Sequence, residues 1–344
     1  MASGGERPAV LEVRDLGVEL GIGGKWVQAL RDVSLTIRGG EVLGLVGESG
    51  SGKSLTALSI PGLLPGNARV VGGSIRLMGE DVLGLSEPQL NRLRTRSVAF
   101  IFQNPTTFLN PVLTVGAQIS EIFELSPELL DPPGAGVRPS RRSRRRQAWA
   151  KGIEYLRVVR IPDPERIARQ YPFELSGGMQ QRAVIAMALA RKPHLVIADE
   201  ITTALDVTVQ AQILSLLSEL RRSIGMTLLL ITHDMGIVAQ LADRVAVMYS
   251  GTVVESADVR SLFREARHPY ARALLAAVPT IRGDRTIFQA IPGSMPAVSD
   301  PPAGCRFHPR CPRVLPHCLA VRPLSLLVGP GHAVACHLYE ERAE

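Results

Sequence analysis

The run Gly47-Glu48-Ser49-Gly50-Ser51-Gly52-Lys53-Ser54 has the residue types and spacing of a phosphate-holding loop. Glycines let successive backbone N–H groups converge on one anion, and the start of a following helix adds partial positive charge. Lys53 is placed to reach β- and γ-phosphates, and the Ser54 hydroxyl to ligate Mg2+. An incidental glycine-rich turn would not need a buried apolar run before it and a helix after it. A second pair of reactive groups ends the run Leu195-Val196-Ile197-Ala198-Asp199-Glu200. Asp199 would hold Mg2+, directly or through water, and Glu200 would polarise an attacking water as general base. Two acids at a strand end are common on their own, so this pair gains its weight from the loop. A third group is Cys305, Cys311, Cys318 and Cys336, the only cysteines of the chain. Four thiolates around one centre suit zinc or an iron–sulfur cluster. Gaps of five, six and seventeen residues depart from the two-residue spacing of zinc ribbons. The bland alternative is four buried, unpaired cysteines.

Further motifs stand in a fixed order. Gln103, in Ile101-Phe102-Gln103-Asn104-Pro105, lies 50 residues after Lys53. Leu175-Ser176-Gly177-Gly178-Met179-Gln180-Gln181-Arg182 places Ser176 23 residues before Asp199. Ala204-Leu205-Asp206 follows Glu200, and His233, in Ile231-Thr232-His233-Asp234, comes 33 residues after it. Taken alone, Ser176 reads as a helix N-cap and His233 as a satisfied histidine at a strand end. Together the ordered set resembles the nucleotide-binding subunit of ABC transporters, over about residues 8 to 255.

The resemblance implies an α/β P-loop NTPase fold with a helical insertion at about 104–178. It also implies two such domains paired head to tail around two ATP molecules. Ser176, Gly177 and Gly178 of one subunit would bind the γ-phosphate held by the other's loop, and Asp206 joins the ATP-binding set. Glu200, His233 and Gln103 form the implied catalytic set. His233 bridges Glu200, water and γ-phosphate, and Gln103 senses Mg2+ beside Ser54 and Asp199. The family also places an aromatic residue against adenine. Trp26, the only aromatic residue before Gly47, takes that part. One departure stands out: Ile201 occupies the position after Glu200 where the family usually has proline.

Finer wording narrows the branch. The stretch 202–210, reading Thr202-Thr203-Ala204-Leu205-Asp206-Val207-Thr208-Val209-Gln210, resembles the oligopeptide, dipeptide and nickel importers. So do His268-Pro269-Tyr270, Ile291-Pro292-Gly293 and Gly304-Cys305-Arg306-Phe307-His308-Pro309-Arg310-Cys311-Pro312, within about 265–338. The branch implies peptide import by two membrane permeases, an extracytoplasmic substrate-binding protein and a second ATP-binding subunit, identical or not. The chain would sit peripherally on the cytoplasmic face of the inner membrane. Some members carry a [4Fe–4S] cluster at matching cysteines, which favours that group over Zn2+. Three rival readings remain: a soluble ABC ATPase acting on nucleic acid or ribosomes, an importer of nickel or another small solute, and a tail that senses metal or redox state. The Arg141–Arg146 run has no interleaved aromatic residues, which argues against nucleic acid. It reads as a solvated face, with lipid headgroups or a permease loop as alternative contacts.

These groups need elements to hold them. Leu11–Val18 and Gly40–Gly47 read as strands flanking a loop, with a helix from Ser54 to about Pro61. Residues 104–174 carry helical patterns at Val115–Leu125 and Arg144–Val159, broken by the Pro/Gly-rich stretch Asp131–Pro139. Strand and helix then alternate: Leu195–Ala198, Thr208–Arg222, Thr227–Thr232, Met235–Ala242 and Arg244–Tyr249. That rhythm predicts a mostly parallel sheet covered on both faces. A connecting helical segment (256–285) leads to a small Cys-rich C-terminal module (286–344). The chain's 344 residues are 45% hydrophobic and 21% charged, ordinary globular usage. Its net charge of +7 fits an anionic ligand, a membrane surface or nucleic acid and selects none of them. No apolar run approaches the eighteen residues of a membrane span, and Met1–Val10 lacks a secretory signal pattern.

Overall fold

Val42–Val46 forms a strand with all five residues buried, as expected of a short apolar run bounded by glycines. It lies between Leu228–Thr232 and Arg244–Tyr249 and runs parallel to both. Gly44 lets the helix Met235–Leu241 approach this strand: a Cβ there would lie 3.2 Å from Val238 Cγ1. The computed structural model describes residues 7–130, 140–201, 206–278, 280–282, 285–287 and 291–342. They fall into two compact units, 1–90 with 227–344, and 91–226.

In the first unit, Ala9–Ile22 pairs antiparallel with Lys25–Arg38 on one side and Ala68–Leu77 on the other. Lys25–Arg38 corrects the expected loop. Its second half alternates buried Val33, Leu35 and Ile37 with more exposed residues, which is the pattern of a half-buried strand. Beyond the parallel core, Arg244–Tyr249 pairs antiparallel with Thr252–Asp258. The helix of the phosphate loop spans Lys53–Ser59, as expected to within a residue or two.

The tail differs from a free-standing loop module. Its hairpin, Ser325–Gly329 with His332–Ala335, pairs with Thr252–Asp258 and so extends the same sheet. Burial supports the join. The Glu255 carboxylate is fully enclosed and accepts bonds from Arg267 N, His268 N and His332 Nε2, each at 2.7 Å. A buried carboxylate without such partners would be strongly destabilising. Phe307, from the segment between Cys305 and Cys311, is 1% exposed. It packs in one core cluster with Val46, Tyr249 and Tyr270.

The second unit holds the parallel strands Val98–Ile101 and Leu195–Asp199. Its helices include Val115–Leu125, Arg141–Val158, Gly177–Ala190 and Val207–Ile224. The expected helical pattern at Arg144–Val159 starts three residues earlier, where the Ser140 side chain caps the helix by accepting from Ser143 N. The arginine run therefore occupies the first turns of a helix, where cations oppose the helix dipole. The break at Asp131–Pro139 and the stretch Thr202–Leu205 lie outside the described residues. No described helix is long and apolar enough to cross a membrane.

Candidate active site

The loop 47–54 leaves the buried end of Val42–Val46 with three glycines at positive φ: Gly47 (157°), Gly50 (79°) and Gly52 (102°). A Cβ at Gly47 would collide with the Met248 carbonyl, and one at Gly52 would lie 2.7 Å from Leu30 Cδ2. Gly50 has no such crowding, so its requirement is conformational alone. Lys53 is 5% exposed and bends over the loop, donating to Gly47 O (2.8 Å) and Glu48 O (2.9 Å). The loop is braced from behind by Gly251 N, which donates to Ser51 O at 2.8 Å. Ser51 Oγ is buried with no hydrogen-bond partner. Glycine-shaped backbone, an enclosed ammonium and an orphaned hydroxyl together fit a polyanionic phosphate ligand. Ser54 is exposed at the helix start.

His233 belongs to the same unit and is exposed, between the strand Leu228–Thr232 and the helix Met235–Leu241. Asp234 caps that helix, accepting from Gly236 N at 2.7 Å, and so fixes the turn that carries His233. Trp26 stands near the hairpin tip, 46% exposed, with Arg69 Cζ 4.1 Å from its ring centroid. One ring face is thus covered by a cation, an arrangement in which the other face can stack on a base.

The second unit brings two predicted residues together: Gln103 Nε2 donates to Glu200 Oε2 at 3.3 Å. Glu200 has φ 48°, a left-handed conformation that is uncommon outside glycine. Strain of this kind concentrates at functional sites. Ile201, in place of the family's proline, is buried at 3% exposure. Asp199 ends its strand, as expected. Ser176 is exposed and caps the helix Gly177–Ala190, its Oγ accepting from Met179 N at 3.4 Å. The N-cap reading therefore holds, and it leaves the Ser176 side chain at the surface. Gly178 is required by packing, since a Cβ would lie 2.5 Å from Val209 Cγ1. Asp206 caps the helix Val207–Ile224 through Val209 N at 2.9 Å.

The four cysteines converge in the first unit. Cys305 N donates to Cys318 O at 2.9 Å, across a crossing that Gly304 keeps free of side chain. Burial, with the neighbouring thiols adding, pushes the Cys305 and Cys336 thiols up to about 11. Cys311 is raised as well, again mainly by burial. Four cysteines gathered here, two of them buried, fit a thiophilic metal centre, because a cation stabilises thiolates that burial disfavours. Among the described residues, only His317, His337 and Glu340 offer three possible ligand atoms within 4.8 Å of one another. The ring nitrogens of His337 are both engaged, with Glu340 Oε2 (2.7 Å) and Val321 O (2.9 Å).

Tyr270 is a site residue that the sequence marks only as wording of the importer branch. Its hydroxyl accepts from Glu48 N at 2.9 Å and so pins the phosphate loop.

The phosphate loop on a buried parallel strand, the capped Ser-Gly-Gly helix and the paired Gln103 and Glu200 define a P-loop ATPase of the ATP-binding-cassette class. Residues 30–203 match the ABC transporter family, and residues 254–318 match the oligopeptide/dipeptide transporter C-terminal region. The chain belongs to this family of ABC transporter ATP-binding proteins, in its oligopeptide/dipeptide branch. It is 46% identical to a probable peptide ABC transporter ATP-binding protein of Sinorhizobium fredii, over 98% of this chain and 97% of that one. It is 44% identical to the oligopeptide transport ATP-binding protein AppD of Bacillus subtilis, covering 92% of each. Among solved structures, an ATP-binding cassette dimer bound to ADP and phosphate superposes with a TM-score of 0.60 at 27% identity. That match covers 73% of this chain and 99% of the cassette.

Proposed function

We infer that this chain is the ATP-hydrolysing subunit that powers peptide import through a membrane ABC transporter. The observation that carries the reading is a single chain joining the phosphate loop to an importer-type tail, matched over nearly its whole length by peptide-transport ATP-binding proteins. Backbone N–H groups of Gly47–Ser54 bind the phosphates of ATP, and Lys53 exchanges its bonds to Gly47 O and Glu48 O for β- and γ-phosphate oxygens. Ser54, Asp199 and Gln103 would hold Mg2+, which supplies charge neutralisation on the phosphates. Glu200 takes a proton from the attacking water as the terminal phosphoryl group leaves ADP, and His233 orients that water. Trp26 stacks on adenine through the ring face opposite Arg69. Ser176, Gly177, Gly178 and Asp206 serve the ATP of a second ATP-binding subunit, so each subunit carries half of two sites.

The partners that follow are two permeases, an extracytoplasmic substrate-binding protein and a second ATP-binding subunit, with this chain peripheral on the cytoplasmic face of the membrane. We read the four cysteines as holding a [4Fe–4S] cluster in preference to zinc. The gaps of five, six and seventeen residues depart from the two-residue spacing of zinc ribbons, and some members of the resembled branch carry such a cluster at matching cysteines.

The test of the assigned base is Glu200→Gln. It should keep ATP binding, lower kcat by about 10^2–10^4-fold and trap a dimer with two retained ATP molecules. Wild-type turnover by this variant would remove Glu200 from the role.

A further inference from the structure

We propose that Arg310, in the loop between Cys305 and Cys311, is a positioning residue for ATP: it neutralises and holds Glu48, and through it the phosphate loop. The proposal rests on the ATPase reading above.

Glu48 is an odd residue for an anion site, because a bare carboxylate in the loop repels a polyphosphate. The Arg310 guanidinium cancels it. Nη1 lies 3.0 Å from Glu48 Oε2 and 3.2 Å from Oε1, in a pair whose arginine side chain is only 5% exposed. The guanidinium is itself fixed on its other edges. Nε donates to Pro292 O at 2.8 Å, Nη2 to Ile291 O at 3.3 Å and Nη1 also to Tyr249 Oη at 3.4 Å. Gly293 makes room, with φ 76° and a would-be Cβ 3.3 Å from Arg310 Cγ. Tyr270 Oη meanwhile holds Glu48 N.

Three tail segments that the phosphate chemistry does not call for, at 268–270, 291–293 and 304–312, therefore converge on one loop residue. Arg306 adds a second strut. It donates to Ser250 O and to Gln28 O (3.3 Å), bracing the turn whose Gly251 N holds Ser51 O. Planar, multidentate anchoring of this kind is specific to arginine.

The experiment measures equilibrium binding of Mg-ATP to the full-length chain, with iron content and thermal midpoint recorded in parallel. Arg310→Met should weaken ATP binding on the order of tenfold, mid-range for residues coupled in one salt-bridge network, with iron retained. The Glu48→Gln, Arg310→Met double variant should regain most of the loss, since removing the carboxylate removes what Arg310 cancels. A merely structural arginine would not be rescued at Glu48. Wild-type affinity in Arg310→Met, or a double variant as weak as it, overturns the proposal. If Arg310→Met does not fold, Arg310→Gln carries the test: it should weaken ATP binding on the order of tenfold and regain most of the loss when combined with Glu48→Gln, and wild-type affinity or no regain overturns the proposal. Failure of the ATPase reading shows elsewhere, in a wild-type chain that binds no nucleotide, and takes the proposal with it.

Discussion

At the scale of single residues, the site is built as much by what glycines leave out as by what charged groups add. Gly47 and Gly52 stand where a side chain would strike Met248 or Leu30, so the phosphate loop can lie close against both. Lys53 and Ser51 then give that shape its polarity. This part was legible in the sequence because the chemistry demands contiguous residue types at fixed spacing. The Arg310–Glu48 pair was not legible, because 262 residues separate its partners. Burial also sets a titration that no motif announces. His268 is 1% exposed, accepts from Tyr270 N through Nδ1 at 3.0 Å, and is pushed by burial down to about 3. Its neutral form is the folded one. The stability it contributes is present above the ordinary value of 6.5 and is lost as pH falls from there toward about 3. Denaturant unfolding at a series of pH values checks this. The slope over that window should be shallower in His268→Asn by up to about 1.4 kcal/mol per pH unit. Identical slopes would show that the ring is not held neutral.

At the scale of elements, sequence periodicity located most of the α/β alternation. Val115–Leu125 and Arg244–Tyr249 fall on the expected residues, and the ends of other elements are displaced by up to four. It missed several β pairings, among them two with a clear physical reason. Lys25–Arg38 follows Gly23-Gly24, a turn signal that reads as the start of a loop although it closes a long hairpin. Ser325–Gly329 and His332–Ala335 are short strands among prolines, and their place is set by pairing with Thr252–Asp258, about 80 residues upstream. That pairing, with Glu255 and Phe307, ties the cysteine segment to the core that carries the phosphate loop. Phe307 and Arg310 leave the cysteine segment for the core and the loop. Cys305→Ser should lose iron, measured by metal analysis and by absorption near roughly 400 nm. The same variant should lower the thermal midpoint. A colourless wild-type protein with stoichiometric zinc, purified without air, would contradict the iron–sulfur assignment and leave four-thiolate ligation standing. The pH direction follows from the raised thiols. Assembly of the proposed cluster would displace protons held up to about 11 at Cys305 and Cys336, so reconstitution should release protons and weaken as pH falls.

At the scale of the whole molecule, half-sites and a tail stitched to the ATPase core describe a subunit made to act within an assembly. Ser176 and Gly177 are exposed, as their proposed part at a partner's nucleotide requires, and no described helix can itself cross a membrane. The peptide reading rests on the relatives and on the importer-type tail. The most direct test is ATP hydrolysis by the chain assembled with its permeases and second ATP-binding subunit in lipid vesicles, with and without peptide-loaded binding protein. Hydrolysis should require Mg2+, rise several-fold when the loaded binding protein is added, and vanish in Lys53→Ala. Hydrolysis indifferent to permeases and to peptide would contradict the account.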